Sequence, residues 1–151
     1  MKTNLWDALA ALPGLTRLVV KLLIFAMVAL FIFFPNPVKF WQQLPVYFNA
    51  EKLVETDFPA MQTINAKIDS LLTPESTRED EAVAVQSFVF RNIQYRYDWD
   101  LWLNSDFWPK ASVVWEKGFE DCDGRAVLAA SILRARGFEQ VKLVASPRHI
   151  W

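Results

Sequence analysis

The residues of this sequence that could do chemistry together are its one cysteine, Cys122, and its one histidine, His149. A cysteine thiolate is a strong nucleophile, and a neutral imidazole can take the thiol proton and return it to a leaving group. In such a pair the thiolate attacks an acyl carbonyl and forms a thioester acyl-enzyme. Each residue taken singly is more often structural than catalytic. Whether the two form a catalytic pair therefore depends on the elements that position them.

Cys122 lies near the start of a predicted helix whose apolar residues share one side, namely Ala126, Val127, Ala130 and Leu133. The helix is expected to end at Gly137, which can take a left-handed C-cap. Unpaired N–H groups at a helix N-terminus favour a thiolate, and the backbone N–H of Cys122 could help to hold an oxyanion. The flanking Asp121 and Asp123 act in the opposite direction, although one of them can serve as the helix cap.

The chain between Cys122 and His149 has a length that can bring the two residues together. The helix from Cys122 to Arg136 advances about 21 Å at 1.5 Å per residue. A β-like run at residues 140–145 (QVKLVA) then returns about 20 Å at 3.3 Å per residue. A turn over residues 146–148 places His149 at the start of the next strand, near the helix end that carries Cys122. The sequence therefore predicts a cysteine–histidine pair.

Three blocks of this sequence, in order, resemble the transglutaminase-like superfamily, which has a papain-like fold. They are residues 90–95 (FRNIQY), 115–123 (WEKGFEDCD) and 143–151 (LVASPRHIW). The similarity covers roughly residues 76–151 and depends on the order and spacing of the blocks together. It implies an α+β fold with helices packed on a small antiparallel sheet. It also implies Cys122 as nucleophile, His149 as its base, hydrolysis or transfer at an amide bond, and no metal or organic cofactor.

The resemblance further implies a third residue, usually an aspartate, on the strand after the histidine, where it orients the imidazole. No position here matches it, because the sequence ends two residues after His149, and Asp121 and Asp123 do not correspond to it. An imidazole without this partner can adopt the wrong tautomer. The functions predicted are therefore a cysteine peptidase or amidase and, less strongly, a glutamine–amine acyltransferase. The alternative is an inactive interaction module, and the chain is expected to be a fragment, a truncated gene product or an inactive relative.

Metal and nucleic-acid sites have little support in the sequence. One cysteine and one histidine would need two well-placed carboxylates to complete a zinc site. An EF-hand loop with Gly124 at position six would begin at Phe119 and end at Ala130, which offer no carboxylate. The formal net charge of -1 and the pI near 5.8 give no electrostatic basis for binding nucleic acid. The expected partners are a protein or peptide substrate and a membrane.

The first third of the chain contains a candidate membrane segment. Residues 22–34 (LLIFAMVALFIFF) include no polar or charged side chain and are followed by Pro35 and Pro37. With residues 18–21 included and Lys21 snorkelling, the segment approaches the roughly 30 Å of a bilayer's hydrocarbon core. An uncleaved anchor is favoured over a signal peptide, because no small-residue cleavage site follows, and over a buried core helix, because the segment is apolar all round.

The predicted organisation has four parts. Residues 1–17 are expected on the cytoplasmic side, and residues 18–38 form a single-pass transmembrane anchor. Residues 39–75 form a linker and a packing helix, and residues 76–151 form the N-terminal portion of a transglutaminase-like domain. More basic residues precede the anchor than follow it, which favours a domain outside the cytoplasm.

Two helices and an aromatic run are predicted before the catalytic segment. The first helix spans residues 59–72 with apolar residues at helical spacing, namely Met61, Ile64, Ile68 and Leu71. The second begins at a capping box formed by Ser76 and Glu79 and ends at about Asn92, before an extended piece at residues 94–97. The aromatic run at residues 99–109 could line a substrate cleft or serve as core or lid.

Overall fold

The computed structural model describes the backbone of residues 11–146, 149 and 150, and the side chains of residues 11–144. This part of the chain is mostly helical. The helices are α1 (Gly14–Phe33), α2 (Pro37–Tyr47), α3 (Met61–Asp69), α4 (Arg78–Asn92), α5 (Asp98–Trp102), α6 (Ala111–Lys117) and α7 (Cys122–Ala135), with a 3-10 helix at Ala50–Leu53. The strands are β1 (Gln94–Tyr95), β2 (Phe119–Glu120), β3 (Ala145–Ser146) and β4 (His149–Ile150).

Helix α1 stands apart from the packed core, because none of its residues is buried. Among the helices of the described residues it is the one long and apolar enough to cross a membrane, judged by length and composition. Its 20 residues advance about 30 Å, the thickness of a bilayer's hydrocarbon core. The helix ends at Phe33 rather than at residue 38. Asn36 caps a new helix there by accepting the Lys39 N–H at 3.2 Å, and Pro37 fits the first position of that helix.

Helix α7 lies at the centre of the core and packs against α3, α4 and α6. Its buried Val127, Leu128 and Ile132 meet apolar side chains from all three helices, which include Ile64, Ile68, Val85, Val89 and Val114. The helix ends as predicted, since Arg136 is its C-cap and Gly137 has a φ of 81°. The element that begins with Cys122 is therefore the most firmly packed helix of the fold.

A cluster of ion pairs fixes the far end of α7. The largely buried guanidinium of Arg136 contacts the Glu81 carboxylate at 2.6 Å and the Asp69 carboxylate at 2.7 Å. These partners raise the already high pKa of Arg136, although burial acts against them. Because Asp69 lies at the end of α3 and Glu81 in the first turn of α4, one side chain joins three helices.

The predicted helix starts and ends are corrected in two places. Leu71 is exposed rather than packed with the other apolar residues of the first helix, because α3 already ends at Asp69. The capping box of α4 is formed by Thr77 and Asp80 rather than by Ser76 and Glu79. The Ser76 hydroxyl instead accepts the Thr73 N–H at 2.9 Å and closes the preceding turn.

The small sheet is not antiparallel as the resemblance implied. β1 and β2 pair in parallel, with Gln94 opposite Phe119 and Tyr95 opposite Glu120. Two helices, α5 and α6, lie between these strands, and a connection of that kind lets the second strand run in the direction of the first. β3 and β4 form a separate antiparallel pair, in which Ser146 is opposite His149.

The strand predicted at residues 140–145 is reduced to Ala145–Ser146 in the structure. The Val141 carbonyl accepts hydrogen bonds from the Arg134 guanidinium at 2.6 and 3.2 Å. An arginine side chain therefore satisfies the backbone at a position where the prediction expected a neighbouring strand.

The capping box can be tested with adjacent substitutions. Thr77→Ala removes the side chain that accepts the Asp80 N–H, so the free energy of unfolding should fall by about 1 kcal/mol. Ser76→Ala is the matched control and should cost less, because Ser76 closes an exposed turn rather than a helix end. Chemical denaturation of the two variants in detergent measures both effects, and an equal or larger loss in Ser76→Ala would contradict the assigned cap.

Candidate active site

Cys122 is the first residue of α7, and its side chain is half-buried. The preceding residue, Asp121, is the N-cap, and its carboxylate accepts the Asp123 N–H at 3.2 Å. The Gly124 N–H bonds to the Asp123 carboxylate, and the Arg125 N–H bonds to the Asp121 carbonyl. Within the described residues the Cys122 N–H has no protein acceptor, so it is the first-turn donor that remains for a ligand.

The segment before Cys122 is held in place by backbone contacts. Gly118 ends α6 with a φ of 70°, a left-handed conformation that favours glycine. Its carbonyl accepts the Gln94 N–H at 2.9 Å, and the Glu120 carbonyl accepts the Arg96 N–H at 3.3 Å. The short β1–β2 ladder therefore sets where α7 begins and where the thiol lies.

A cavity of about 440 Å³ opens beside Cys122, between α4, α7 and residues 141–143. Its walls are mainly apolar and include Val89, Ala126, Ala130, Leu133 and Leu143. Arg125, Lys142 and Tyr95 add polar groups. The Arg125 guanidinium donates to the Ile93 carbonyl and lies 5.2 Å from the centre of the Tyr95 ring. The cavity could hold an extended segment with an apolar side chain next to the thiol.

His149 begins strand β4, and this strand runs beside α7, with Cα atoms within 8 Å of it. The backbone therefore places His149 at the start of a strand, as predicted, and against the helix that carries Cys122. The His149 side chain lies outside the described residues, as do Pro147 and Arg148 of the predicted turn. The separation of sulfur and imidazole thus stays a prediction.

Four carboxyl groups meet at the start of α7, a feature that the sequence does not predict. Asp98, Glu120, Asp121 and Asp123, the carboxyl cluster, each place one oxygen within 4.8 Å of the others. Trp102 Nε1 donates to Glu120 Oε1 at 2.7 Å, and the Asp121 N–H donates to Glu120 Oε2 at 3.2 Å. Asp98 Oδ2 accepts the Phe107 N–H at 2.6 Å, whereas Asp98 Oδ1 is buried with no hydrogen-bond partner.

Burial and mutual repulsion favour the protonated forms of this cluster. Burial, with added repulsion from Asp121, raises the pKa of Asp98 to about 8. Burial also raises the pKa of Glu120 to about 7, although the hydrogen bond from Trp102 acts against this. The pKa of Asp123 is raised strongly, first by burial and then by its contact with the Asp121 carboxyl. Protonation offsets part of the negative charge at neutral pH, and a bound cation would act in the same direction.

The carboxyl cluster is also the group of described residues that could hold a metal ion. Its oxygens lie within 4.8 Å of one another, about twice the length of a Ca²⁺–oxygen bond of roughly 2.4 Å. Carboxylates are the ligands that this ion prefers. The sequence predicts no metal site, because the candidate ligands near Cys122 along the chain do not complete one. Acids that flank a cysteine gave a partial signal for Asp121 and Asp123, but no local pattern connects them with Asp98.

Gly124 is required by the close approach of Glu120. A Cβ atom at residue 124 would lie 2.6 Å from Glu120 Cγ and 2.8 Å from Glu120 Cβ. These distances are far below van der Waals contact, so any larger residue must displace the Glu120 side chain or the start of α7. The glycine after the acid–cysteine–acid motif therefore serves packing rather than backbone conformation.

The aromatic run at residues 99–109 does not line the cavity at Cys122 in the described part of the chain. Trp102 and Phe107 are buried, with ring centres 4.6 Å apart, and they support the carboxyl cluster through Glu120 and Asp98. Core material is therefore the interpretation that fits Trp102 and Phe107. Trp102, Phe107, Trp108 and Pro109 line a separate cavity of about 310 Å³, so the substrate-cleft interpretation stays a prediction.

Replacing Gly124 tests the packing at the start of α7. Gly124→Ala should lower the free energy of unfolding by about 1–3 kcal/mol, because the added methyl group overlaps Glu120. Gly14→Ala is the matched control, since nothing lies within 4 Å of a Cβ at that position. Thermal unfolding followed by circular dichroism measures both variants, and an unchanged Tm for Gly124→Ala would show that the close approach is wrong.

The carboxyl cluster predicts an unusual dependence of stability on pH. The folded state binds protons more tightly than the unfolded chain at these groups. Stability should therefore fall as pH rises from about 4 through the folded pKa values of about 7 and 8. Asp98→Asn keeps the acceptor for Phe107 and removes one charge, so it should raise the Tm at pH 8 by about 2–8 °C in EDTA.

The matched control for this variant is Asp100→Asn, an exposed carboxyl of the same helix, which should follow the wild-type pH curve. A wild-type Tm that does not fall between pH 5 and pH 8 in EDTA would contradict the raised pKa values. Replacing EDTA with CaCl₂ separates the two ways of offsetting the charge. A cation held by the cluster would raise the wild-type Tm at pH 8 more than that of Asp98→Asn.

Two comparisons with known proteins give no relative from which a role could be transferred. No protein-family model matches this sequence, and no curated protein matches it. The function must therefore be inferred from the residues at the start of α7 and from their arrangement.

Proposed function

We propose that this chain is a membrane-anchored, transglutaminase-like cysteine enzyme that acts on amide bonds of proteins or peptides. One observation carries the proposal. Cys122 is the first residue of α7 and opens into a cavity of about 440 Å³, and the strand that begins with His149 runs beside the same helix. A buried structural cysteine would need neither the helix start nor the cavity.

The proposed reaction begins when the His149 imidazole takes the Cys122 thiol proton. The thiolate attacks the carbonyl carbon of an amide, and the Cys122 N–H, which has no acceptor among the described residues, can donate to the oxyanion. The C–N bond breaks as the imidazolium protonates the leaving amine, which leaves a thioester on Cys122. Water then releases an acid, or a second amine releases a new amide. These two outcomes distinguish a peptidase or amidase from an acyltransferase.

The proposal includes a papain-like core for this domain. The central helix α7 begins with the nucleophile, and an antiparallel strand pair that carries His149 lies against it. This arrangement of helix and strands agrees with a papain-like core, in which a helix bearing the cysteine packs on a sheet bearing the histidine. The residue that would orient His149 has no match here, and Asp121 and Asp123 already serve the start of the helix.

The anchor is proposed from α1, which has the length and composition of a single span and no buried residue. The excess of basic residues before the span supports a cytoplasmic N-terminus, with helices α2 to α7 on the other side of the membrane. The enzyme would then meet its substrates at or near the membrane surface.

A second function, an inactive interaction module, is favoured by the carboxyl cluster. Negative charges close to the start of α7 would repel the further negative charge that a reaction develops there. Protonation of Asp98, Glu120 and Asp123 reduces this repulsion, and so would a bound cation. The two functions therefore differ in the reactivity of one thiol.

Alkylation by iodoacetamide at pH 6 separates the two functions. If Cys122 is an activated nucleophile, it should react at least about tenfold faster than glutathione at this pH, because only the thiolate is alkylated. His149→Gln removes the proposed base and should return the rate to that of an ordinary thiol. A wild-type rate equal to that of glutathione would exclude an activated nucleophile and leave the interaction module.

Substrate turnover then distinguishes hydrolysis from transfer. The full chain in detergent is incubated with a glutamine-containing peptide and a primary amine, and the products are weighed by mass spectrometry. A gain of the amine indicates transfer, whereas release of ammonia or cleavage of the peptide indicates hydrolysis. Cys122→Ala is the control, and activity that survives in it would refute both versions of the enzyme.

A further inference from the structure

Helix α2 has an inverted pattern for a helix on the surface of a soluble domain. Its outward side carries the large apolar residues Val38 and Trp41, which are 63 and 67% exposed, and Phe48, directly after the helix, is 85% exposed. Its one charged residue, Lys39, turns inward, with Nζ 4.7 Å from the centre of the Trp102 ring and 4.5 Å from that of Phe107. A helix whose outer side faces water normally shows the opposite arrangement.

The inner side of α2 is fixed to the domain, so the helix cannot rotate to hide its apolar side. Gln43 is buried, and its side-chain amide donates to the Trp108 carbonyl at 2.9 Å. The Tyr47 ring lies 5.1 Å from the Trp108 ring. Burial of Lys39, together with repulsion from Lys117, lowers the pKa of Lys39. The domain thus holds a charged group in a partly apolar place while apolar groups remain exposed.

The connection from α1 places α2 close to the end of the candidate membrane span. Residues 34–36 join the two helices, and even fully extended they could separate Phe33 from Pro37 by no more than about 14 Å. The connection also packs against α2, since the Phe34 and Phe40 rings are 5.1 Å apart. The headgroup region on each side of a bilayer adds roughly 5–8 Å to the hydrocarbon core. A bilayer that surrounds α1 therefore brings its headgroups to α2.

The domain is also tied directly to the end of α1. The Ser105 N–H donates to the Phe33 carbonyl at 3.0 Å, and the Asn36 N–H bonds to the Asn104 side chain at 3.4 Å. Nearby, Leu103 takes a left-handed conformation with φ of 53°, and its side chain is exposed. Two chain segments thus present apolar residues at the level where α1 ends.

We propose that the outward side of α2, formed by Val38, Trp41 and Leu44 together with Phe48 directly after the helix, lies in the headgroup region of the bilayer that holds α1. This inference rests on the proposed anchor. Tryptophan and other aromatic residues are favoured at this depth, and an amphipathic helix binds there by burying its apolar side. The side has no exposed basic residue, so the contact requires no anionic lipid and is insensitive to salt.

Single-cysteine labelling tests this surface, because Cys122 is the chain's one cysteine and can be replaced by serine. Val38→Cys, Phe48→Cys, Val83→Cys and Val28→Cys are each made in the Cys122→Ser chain and labelled with the fluorophore NBD. The labelled proteins are reconstituted in phosphatidylcholine vesicles. Quenching is measured with iodide from the water and with a nitroxide on the lipid acyl chain. Val83 is the matched control, since it is an exposed valine on the surface of α4.

We expect labels at positions 38 and 48 to be quenched by the lipid nitroxide and to show iodide quenching at least roughly threefold lower than at position 83. Position 28, in α1, reports on the anchor alone. If position 28 is quenched by the nitroxide while positions 38 and 48 match position 83, the anchor holds and the proposed surface is wrong. If position 28 is not quenched by the nitroxide, the proposed anchor itself is wrong and the surface proposal falls with it.

Two further outcomes bear on the occupant of the surface. Shielding from iodide at positions 38 and 48 without quenching by the lipid nitroxide would mean that protein covers the surface, which overturns the proposal. Trp41→Glu places a charge on the exposed side and should leave the circular dichroism spectrum unchanged. It should raise the iodide quenching of a label at position 38 toward that at position 83, and an unchanged value would contradict a lipid contact.

Discussion

The hydrogen bond from the Trp102 indole to the buried Glu120 carboxyl is the interaction on which the arrangement of this domain depends. Glu120 is fully buried, and its other oxygen accepts the Asp121 N–H just before α7 begins. The same carboxyl group therefore holds the aromatic segment against β2 and fixes the residue that caps α7. Because a buried carboxyl without these donors would be costly, the bond from Trp102 helps to determine both the fold and the position of Cys122.

The carboxyl cluster destabilises the folded state, although its members hold the start of α7 in place. Four acids within a few ångströms of each other destabilise the folded state when they are ionised, and the burial of three of them increases this cost. The domain nevertheless keeps Gly124, whose lack of a side chain lets Glu120 approach so closely. Unfavourable electrostatics at a helix that begins with a cysteine are typical of functional sites, where stability is sacrificed for a particular local environment.

The sequence predicted the helices well where periodicity and end signals agreed. The span of α7, from the acid–cysteine–acid motif to Gly137, follows from both its apolar stripe and its C-cap. The cap of α4 was predicted one residue early, because Ser76 and Thr77 each have an acid three residues later and only the preceding turn decides between them. The two-residue strands are too short for alternation to reveal their pairing, so the parallel β1–β2 ladder could not be predicted.

The least predictable features are those made by contacts between distant residues. Asp98 reaches the start of α7 only because α5 packs Trp102 beneath Glu120, and nothing near Asp98 in the sequence indicates this. The position of Lys39 is equally hard to predict, because nothing in the neighbouring sequence indicates that this lysine points inward. Both cases follow from tertiary packing, which places a polar group where local patterns would place an apolar one.

These two features are connected. Lys39 of α2 and Lys117 of α6 lie 4.7 and 4.6 Å from the centre of the Trp102 ring, whose N–H binds Glu120. A continuous set of contacts thus runs from the apolar helix after α1 to the cap of the helix that begins with Cys122. The Ser105 N–H, which bonds to the Phe33 carbonyl at 3.0 Å, ties the aromatic segment to the end of α1 itself. If α1 crosses a bilayer, these contacts limit the height and the orientation that the cavity at Cys122 can take above it.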